Sequence, residues 1–203
     1  IGDIYRAQEK YEKALTSYRR ALEIHRSMQN KERIATVLNN IAVCYIRQKK
    51  FDNVLDTLLY TEKLFKEVGS PNIAWAWLNI SEYYVQQRAY ADARVYALLA
   101  LDATQQSQDR RSMVGALHTL GLSYGRLGRA DSALQYALRA ESIAQEFGFR
   151  EELKTSYIVL SEIYDSAKRY DSALYYYKQY SALRDSLLSA EMQNNTMNLQ
   201  MQL

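Results

Sequence analysis

The feature that most constrains this chain is a sequence pattern that returns about every 40 residues. RADSALQY at residues 129–136 comes back as RYDSALYY at residues 169–176. A row of tyrosines follows the same period, with steps of 40, 39, 40 and 40 residues between Tyr5, Tyr45, Tyr84, Tyr124 and Tyr164. A chain that copies one unit stacks equivalent units side by side, so the pattern predicts an extended array.

Small side chains stand at fixed distances from these tyrosines. Three residues before each tyrosine lie Gly2, Ala42, Ser81, Gly121 and Ser161, and nine residues after each lie Ala14, Val54, Ala93, Ala133 and Ala173. The positions thirteen residues after are Tyr18, Leu58, Ala97, Ala137 and Tyr177, and those sixteen after are Ala21, Thr61, Ala100, Ala140 and Tyr180. Antiparallel helices approach to about 8–10 Å only where little side chain stands between them. Each unit is therefore predicted to be a pair of closely packed helices.

Composition favours helices and excludes several classes of protein. With one proline and seven glycines in 203 residues, the chain has too few turn-forming residues for many strands and hairpins. No stretch approaches the roughly 18 uncharged apolar residues of a membrane span, and the lone Cys44 excludes an internal disulfide framework and a multi-cysteine metal site. The net charge of +3 is spread along the chain, so direct nucleic-acid binding is not expected. A periplasmic sensor region and a cytoplasmic domain fit equally well, so the localisation stays unknown.

The stretch LGLSYGRLGRADSALQYALRA, from Leu120 to Ala140, resembles the tetratricopeptide repeat, which has a Leu-Gly…Tyr…Ala…Phe…Ala pattern. The resemblance extends to about Leu187. It implies an all-α fold, a right-handed α-solenoid of helix-turn-helix repeats. The family's standard unit has about 34 residues, and the longer units here add about 9 Å of helix each. Long units of this kind look like those in signalling members of the family.

The repeat divides the chain into about five units, at residues 1–29, which is incomplete, 30–69, 70–108, 109–148 and 149–187. The helix pairs are predicted at 1–8 and 11–28, 31–48 and 51–67, 71–87 and 90–107, 110–127 and 130–147, and 150–167 and 170 to about 190. Pro71 is expected in the first turn of its helix, where its missing N–H is not needed. Because the first unit starts abruptly, we expect further sequence upstream.

Residues 188–203 differ in composition, being rich in Gln, Asn and Met. They are predicted to form a helical extension that caps the last unit, or a linker toward a further domain. Leu188, Met192, Leu199 and Leu203 recur at helix-like intervals, which makes a dimer through this C-terminal helix a further prediction. Asn194 and Asn195 would weaken such a seam.

No catalytic motif is found in the sequence. The histidines, His25 and His118, fall in different units, and neither an HExxH motif nor a glycine-rich phosphate loop is present. Cys44 adjoins a packing position and is interpreted as a semi-buried structural thiol. Glu162 and Asp165 are interpreted as a solvated acidic face, and a shared proton or cation is the alternative. The chain is therefore predicted not to be an enzyme, and no metal or other cofactor is expected.

The predicted binding surface is the concave side, which the first helices of the units line in such a solenoid. The residues of the first helices that lie off the packing positions are predicted to face this side. They are Asn39, Val43, Arg47, Trp75, Asn79, Glu82, Gln86, His118, Leu122, Arg126, Ile158, Glu162 and Asp165. Amides that pair with a peptide backbone alternate there with charges and a tryptophan. Trp75 and Trp77 cannot share one helix face, so one is expected in the core and the other exposed as an anchor. Any solvated groove would be similarly polar, and this alternative stays open.

A ladder of positive charge is predicted along the edge formed by the turns. Its members are Lys49, Lys50, Arg88, Arg126, Arg129, Lys168 and Arg169. Stabilisation of helix C-termini explains it, and an acidic partner or a phosphate backbone is the alternative. The clamp with which some family members hold a peptide carboxylate needs Lys, Asn and Arg in consecutive units. Asn40 and Asn79 recur without the accompanying Lys and Arg, which disfavours that specificity.

These features predict a non-catalytic module that binds a protein or peptide ligand in its concave groove. The segment YKQYSALRDSLLSAEMQNNTMNLQMQ resembles the helical exit of repeat-containing sensor histidine kinases and transcription regulators. This resemblance implies the sensory or regulatory region of a signal-transduction or transcription-regulating protein. The alternative is a structural scaffold for assembly of a multiprotein complex.

Overall fold

The computed structural model describes residues 1–200, and the side chains of all of these except residues 191, 194–196 and 198–200. Within this part of the chain the backbone forms ten α-helices and no strand. The helices are α1 Gly2–Ala7, α2 Tyr11–Ser27, α3 Lys31–Arg47, α4 Val54–Glu67, α5 Ile73–Gln86, α6 Tyr90–Ser107, α7 Arg110–Arg126, α8 Ala130–Glu146, α9 Arg150–Ser166 and α10 Tyr170–Gln200. None of these helices is long and apolar enough to span a membrane.

Consecutive helices are joined by short turns and pack against each other along the whole array. The odd-numbered helices also contact one another, α3 with α5, α5 with α7 and α7 with α9. No two even-numbered helices in the described residues pack together to a comparable extent. The odd-numbered helices therefore line the concave side and the even-numbered helices the convex side, and the predicted all-α solenoid is confirmed.

Each turn between helices contains a residue in the left-handed backbone conformation. These residues recur every 19 or 20 positions with φ between 53° and 75°, as Glu9, Gln29, Lys49, Gly69, Arg88, Gln108, Gly128, Gly148 and Lys168. Glycine enters this conformation without a steric penalty, whereas a residue with a Cβ does not. The same turn thus reverses the chain twice in every unit.

The tyrosines that mark the repeat stand in the last turns of α1, α3, α5, α7 and α9. Each of their carbonyls accepts a hydrogen bond, at 2.9–3.0 Å, from the amide five residues later, those of Lys10, Lys50, Ala89, Arg129 and Arg169. This bond closes a helix C-terminus at a left-handed residue. Three of the rings also stack on a tyrosine twelve residues later, with centroids 5.4–5.8 Å apart, in the pairs Tyr84–Tyr96, Tyr124–Tyr136 and Tyr164–Tyr176. The repeated tyrosine therefore ends the first helix, and in three units it also fixes the second helix against the first.

The small-residue positions are places of close helix contact. Ala133 of α8 is fully buried, and a methyl group added at Gly121 of α7 would lie 3.2 Å from the Cβ of Ala137. One of the repeat positions expected to pack between helices is instead at the surface, because Tyr177 is 50% exposed. Tyr18 at the equivalent position is buried over Gly2, but Ser161 replaces that glycine in the last unit. The space beneath the ring is lost, so Tyr177 lies at the surface.

Two predicted helix starts are wrong. Helix α4 begins at Val54, because the left-handed Asn53, with φ 57°, interrupts the helix that was expected from residue 51. Helix α5 begins at Ile73, which leaves Pro71 outside it in a turn closed by the Ile73 N–H and the Ser70 carbonyl at 3.3 Å. The Ala74 N–H likewise donates to the Pro71 carbonyl, three residues back, at 3.4 Å, so a tighter turn precedes the first α-helical turn.

Helix α10 runs on without interruption for 31 residues, past the expected end near residue 190. Its later part exposes Leu188, Met192 and Met197. Of the residues connected with the dimer prediction, Leu203 and the side chains of Asn194, Asn195 and Leu199 lie outside the described residues, and the dimer stays a prediction.

Candidate functional site: the concave groove

The concave side forms one groove in two adjoining sections. Both sections are lined by Arg6, Arg47, Leu78, Asn79 and Glu82. The N-terminal section, about 510 Å³, is also lined by Asp3, Thr36, Asn39, Asn40, Val43 and Trp75. The C-terminal section, about 650 Å³, is also lined by Val85, Gln86, Arg111, Ser112, Gly115, His118, Thr119, Leu122, Glu152, Thr155 and Val159. Side chains from α1, α3, α5, α7 and α9 thus enclose a continuous space, which we call the concave groove.

The structure places most of the predicted surface residues in this groove. They are Asn39, Val43, Arg47, Trp75, Asn79, Glu82, Gln86, His118 and Leu122. Arg126, Ile158, Glu162 and Asp165 line neither section. Arg126 Nη2 donates instead to Glu162 Oε2 at 2.8 Å, an exposed pair near the ends of α7 and α9. Glu162 is therefore paired with an arginine and not with Asp165.

The groove also contains residues that the sequence analysis did not name. Three of them share one position in the first half of α3, α7 and α9. Thr36, Gly115 and Thr155 stand nine residues before their repeat tyrosines, as Trp75 does before Tyr84. These three residues could have been predicted from the sequence, because counting nine residues back from each repeat tyrosine, as for Trp75, identifies all of them. Arg6 stands one residue after Tyr5, the offset at which Asp165 was predicted and at which Val85 also lines the groove, so this offset carried to α1 finds it.

Polar residues of neighbouring odd-numbered helices pair across the floor of the groove. Asn79 Nδ2 donates to Asn39 Oδ1 at 2.8 Å, which joins α5 to α3. Arg47 Nη1 lies 3.1 Å from Glu82 Oε1. Since Arg111 Nε also lies 3.3 Å from Glu152 Oε1 and Arg6 lies 3.6 Å from Asp3, the charges that line the groove balance. The groove therefore does not favour a strongly charged ligand.

His118 lines the groove and lies half-buried between α7 and α9. Its Nε2 is 2.7 Å from Ser156 Oγ, and Ser156 Oγ donates to the Glu152 carbonyl at 3.1 Å. Because the hydroxyl proton is used in that bond, Ser156 accepts from His118, which assigns the Nε2–H tautomer. Burial lowers the pKa of His118 to about 4, so the ring is neutral at pH 7. Ser156 is fully buried, so the pair holds two helices together and offers no accessible nucleophile.

Two buried polar atoms in the groove wall have no hydrogen-bond partner among the described residues. They are Arg6 Nε, a donor, and Glu152 Oε2, an acceptor. A buried polar atom left unpaired costs about 1–3 kcal/mol. Both atoms are closed off from the groove, and similar unpaired atoms lie elsewhere in the described residues, so they do not indicate a ligand.

The two tryptophans of α5 lie on different faces of the helix. Trp75 is 37% exposed in the N-terminal section, beside Leu78 and Val43. Trp77 is half-buried, and its Nε1–H donates to Glu62 Oε1 at 2.8 Å. Trp75 is thus the ring that can pack against a ligand side chain in the groove.

The described residues offer little covalent or metal chemistry. Cys44 is fully buried, not semi-buried as predicted, because it packs in the core around Leu38 and Ile41. That burial raises the pKa of its thiol. No cluster of three or more His, Cys, Asp or Glu side chains that could hold a metal ion occurs within residues 1–200 as described.

Some members of the predicted positive ladder make side-chain contacts within the protein, and others serve in the turns. Lys49, Arg88 and Lys168 are left-handed turn residues. Lys50 Nζ lies 3.2 Å from Glu12 Oε1, and the Arg169 guanidinium packs 4.9 Å from the centre of the Tyr164 ring. These contacts favour the intramolecular explanation of the ladder over an acidic partner.

Comparison with known proteins places this geometry in a family. The sequence matches the model of the tetratricopeptide repeat over residues 1–59 and 112–186, together about two thirds of the chain. No curated protein matches it. Among solved structures, the chain is similar to BtubC (BKLC) from P. vanneervenii, with 20% identity and a TM-score of 0.74 over 92% of this chain and 78% of that one.

Two further similar structures belong to larger proteins. A Rap protein complexed with Competence and Sporulation Factor has 18% identity and a TM-score of 0.79, over 90% of this chain and 51% of that one. A signal transduction ATPase with a tetratricopeptide repeat sensor from Pyrococcus horikoshii has 17% identity and a TM-score of 0.73, over 97% of this chain and 30% of that one. The chain spans about half of the Rap protein and less of the ATPase. At these identities the likeness concerns the fold.

Proposed function

We propose that this chain, which belongs to the tetratricopeptide repeat family, is a non-catalytic module that binds a peptide or protein segment in its concave groove. The observation that carries this proposal is the continuity of the groove past an exposed Trp75. An extended chain supplies what such a surface lacks, since it brings apolar side chains together with backbone donors and acceptors.

The lining indicates the kind of segment that fits. An apolar side chain packs against Trp75 and Leu78, while the ligand backbone pairs with the amides of Asn40 and Asn79. Because the groove charges balance, the segment carries little net charge. The similar Rap structure is itself a complex with Competence and Sporulation Factor, which supports a ligand-binding use of this fold.

The affinity of peptides selected from a random display library tests the proposal. Trp75→Ala and Asn79→Ala should each weaken binding about ten-fold or more, since central anchors contribute more than about 1 kcal/mol. Leu98→Ala, at a 39% exposed site on the convex α6, is the matched control and should bind like the parent. Unchanged affinity in both groove variants, with unchanged melting temperatures, would contradict a ligand site in the groove.

We further propose that the module is the sensory or regulatory region of a signalling or transcription-regulating protein. The support is the uninterrupted α10, which extends the last unit as a stiff rod. Ligand binding that changes the curvature of the array would move this rod, and a helix transmits such a movement along its length. The similar ATPase, which carries a repeat sensor, supports this use.

A scaffold is the second candidate, and a convex surface favours it. Leu59, Leu98 and Leu138 stand fourteen residues after their repeat tyrosines on α4, α6 and α8, and each is 37–39% exposed. Repeated apolar residues on the outer face suit a partner that runs along the array. Loss of partner assembly in Leu59→Ser, Leu98→Ser and Leu138→Ser, with peptide affinity unchanged, would support the scaffold instead.

A further inference from the structure

One unit lacks a large side chain that its neighbours have. The position nineteen residues after each repeat tyrosine is aliphatic in Ile24, Leu64, Ile143 and Leu183, but it is alanine in Ala103 of α6. Leu64 is 4% exposed in the core cluster that contains Leu38, and Ile143 packs against the cluster that contains Leu117. The third unit therefore has an alanine where the other units place an aliphatic side chain.

An open cleft of about 360 Å³ lies at this alanine. Its walls include Pro71, Ile73 and Trp77 on one side and Asp102, Ala103 and Gln106 of α6 on the other. We call it the edge cleft. It shares no lining residue with either section of the concave groove. Trp77 thus faces a second cavity, away from the groove into which Trp75 points.

The edge cleft carries a negative charge at its rim. Asp102 is exposed and is the one charged residue that lines the cleft in the described part of the chain. Its Oδ2 accepts a hydrogen bond from Gln106 Nε2 at 2.9 Å, and no lysine or arginine ion pair neutralises it among the described residues. A cationic group beside an apolar one is the complementary ligand.

We propose that the edge cleft is a second docking site, which takes a leucine or isoleucine side chain of a partner protein flanked by lysine or arginine. The neighbouring units identify the occupant, because Leu64 and Ile143 supply this kind of side chain at the equivalent position. The flanking cation reaches Asp102. Because the edge cleft is separate from the concave groove, the site does not depend on the ligand proposed for the groove.

Fluorescence of a single tryptophan tests the site directly. The chain has two tryptophans, so Trp75→Phe leaves Trp77 as the reporter. The capped peptide acetyl-Lys-Leu-Lys-amide should change Trp77 emission saturably. Acetyl-Lys-Ala-Lys-amide should bind about ten-fold more weakly because it lacks the buried aliphatic group. Acetyl-Glu-Leu-Glu-amide should bind about five-fold more weakly because its charges are repelled by Asp102. No saturable change, or equal affinity for all three peptides, overturns the proposal.

Variants of the cleft complete the test in the same Trp75→Phe background. Ala103→Leu fills the cleft with the chain's own side chain, so it should raise the melting temperature and abolish the response to acetyl-Lys-Leu-Lys-amide. Ala91→Leu, at an exposed site near the other end of α6, is the matched control and should respond like its background. A lower melting temperature for Ala103→Leu would mean that the space is not open, and a retained response would mean that the peptide binds elsewhere. Either result overturns the site.

Discussion

His118 illustrates how one side chain can lie on the predicted surface and yet serve the packing beneath it. Its offset from Tyr124 placed it on the concave side, and it does line the groove. Its ring is nevertheless held at Nε2 by Ser156 of α9, 2.7 Å away. The ring must stay neutral to remain there, because burial disfavours its charged form and lowers its pKa to about 4.

This histidine should make the stability of the fold depend on pH. In the unfolded chain the ring takes up a proton near its ordinary pKa of about 6.5, whereas in the folded chain it does so near 4. The free energy of unfolding should therefore fall as the pH drops from 6.5 to 4, by up to about 3 kcal/mol. Urea unfolding at a series of pH values measures this. His118→Gln keeps an N–H donor for Ser156 and should remove that part of the slope. An identical slope in parent and variant would contradict a ring that stays neutral in the folded chain.

At the scale of the helix and its turns, the same left-handed residue recurs between successive helices. Lys49, with φ 57°, and Gly128, with φ 75°, occupy equivalent turns after α3 and α7. A side chain in this conformation costs roughly 1 kcal/mol, and glycine relieves most of it. A turn with a non-glycine residue at this position is thus less stable than the same turn with glycine.

Lys49→Gly should consequently stabilise the fold, by about 0.5–1 kcal/mol, even though glycine raises the entropy of the unfolded chain. The reciprocal change, Gly128→Ala, should destabilise it by a similar amount. Nothing lies within 4 Å of a Cβ added at Gly128, so the effect there comes from the backbone alone. Chemical denaturation of the two variants measures both changes. A loss of stability in Lys49→Gly would show that its side chain matters more than its backbone conformation.

The contact between α7 and α8 depends on a side chain no larger than a methyl group. Ala133 is fully buried, and its carbonyl would lie 3.4 Å from a Cβ added at Gly121. Ala133→Leu should overpack the pair and lower the unfolding free energy by about 1–3 kcal/mol. Ala182→Leu, the same change at an exposed site on α10, should have little effect. Equal melting temperatures for the parent and Ala133→Leu would mean that this position is not a close-contact point.

For the molecule as a whole, the repeat made the helical pairs predictable from the sequence. The positions of the tyrosines and alanines depend on packing that is the same in every unit, so their period predicts the fold. The starts of α4 and α5 do not repeat. They depend on the conformations of Asn53 and Ser70–Pro71, which a periodic pattern does not contain.

The binding surface was predictable only in part, for a related reason. Offsets along a helix indicate which side chains face the groove, as Trp75 and Asn79 show. They do not reveal which charges of neighbouring units lie close enough to pair. Arg126 and Glu162, for example, pair outside the groove. The edge cleft is harder still to predict, because Ala103 signifies a missing side chain only by comparison with the other units.

The central claim is that a ligand lies in the concave groove, and amide chemical-shift mapping tests it most directly. The chain has a mass of 23.6 kDa, which suits two-dimensional spectra of deuterated protein titrated with a display-selected peptide. We predict that the largest shifts fall on the side-chain amide of Asn79 and the indole N–H of Trp75, and continue across α7 to Glu152 of α9. Shifts confined to the convex residues Leu59, Leu98 and Leu138, with the groove signals unmoved, would contradict the claim.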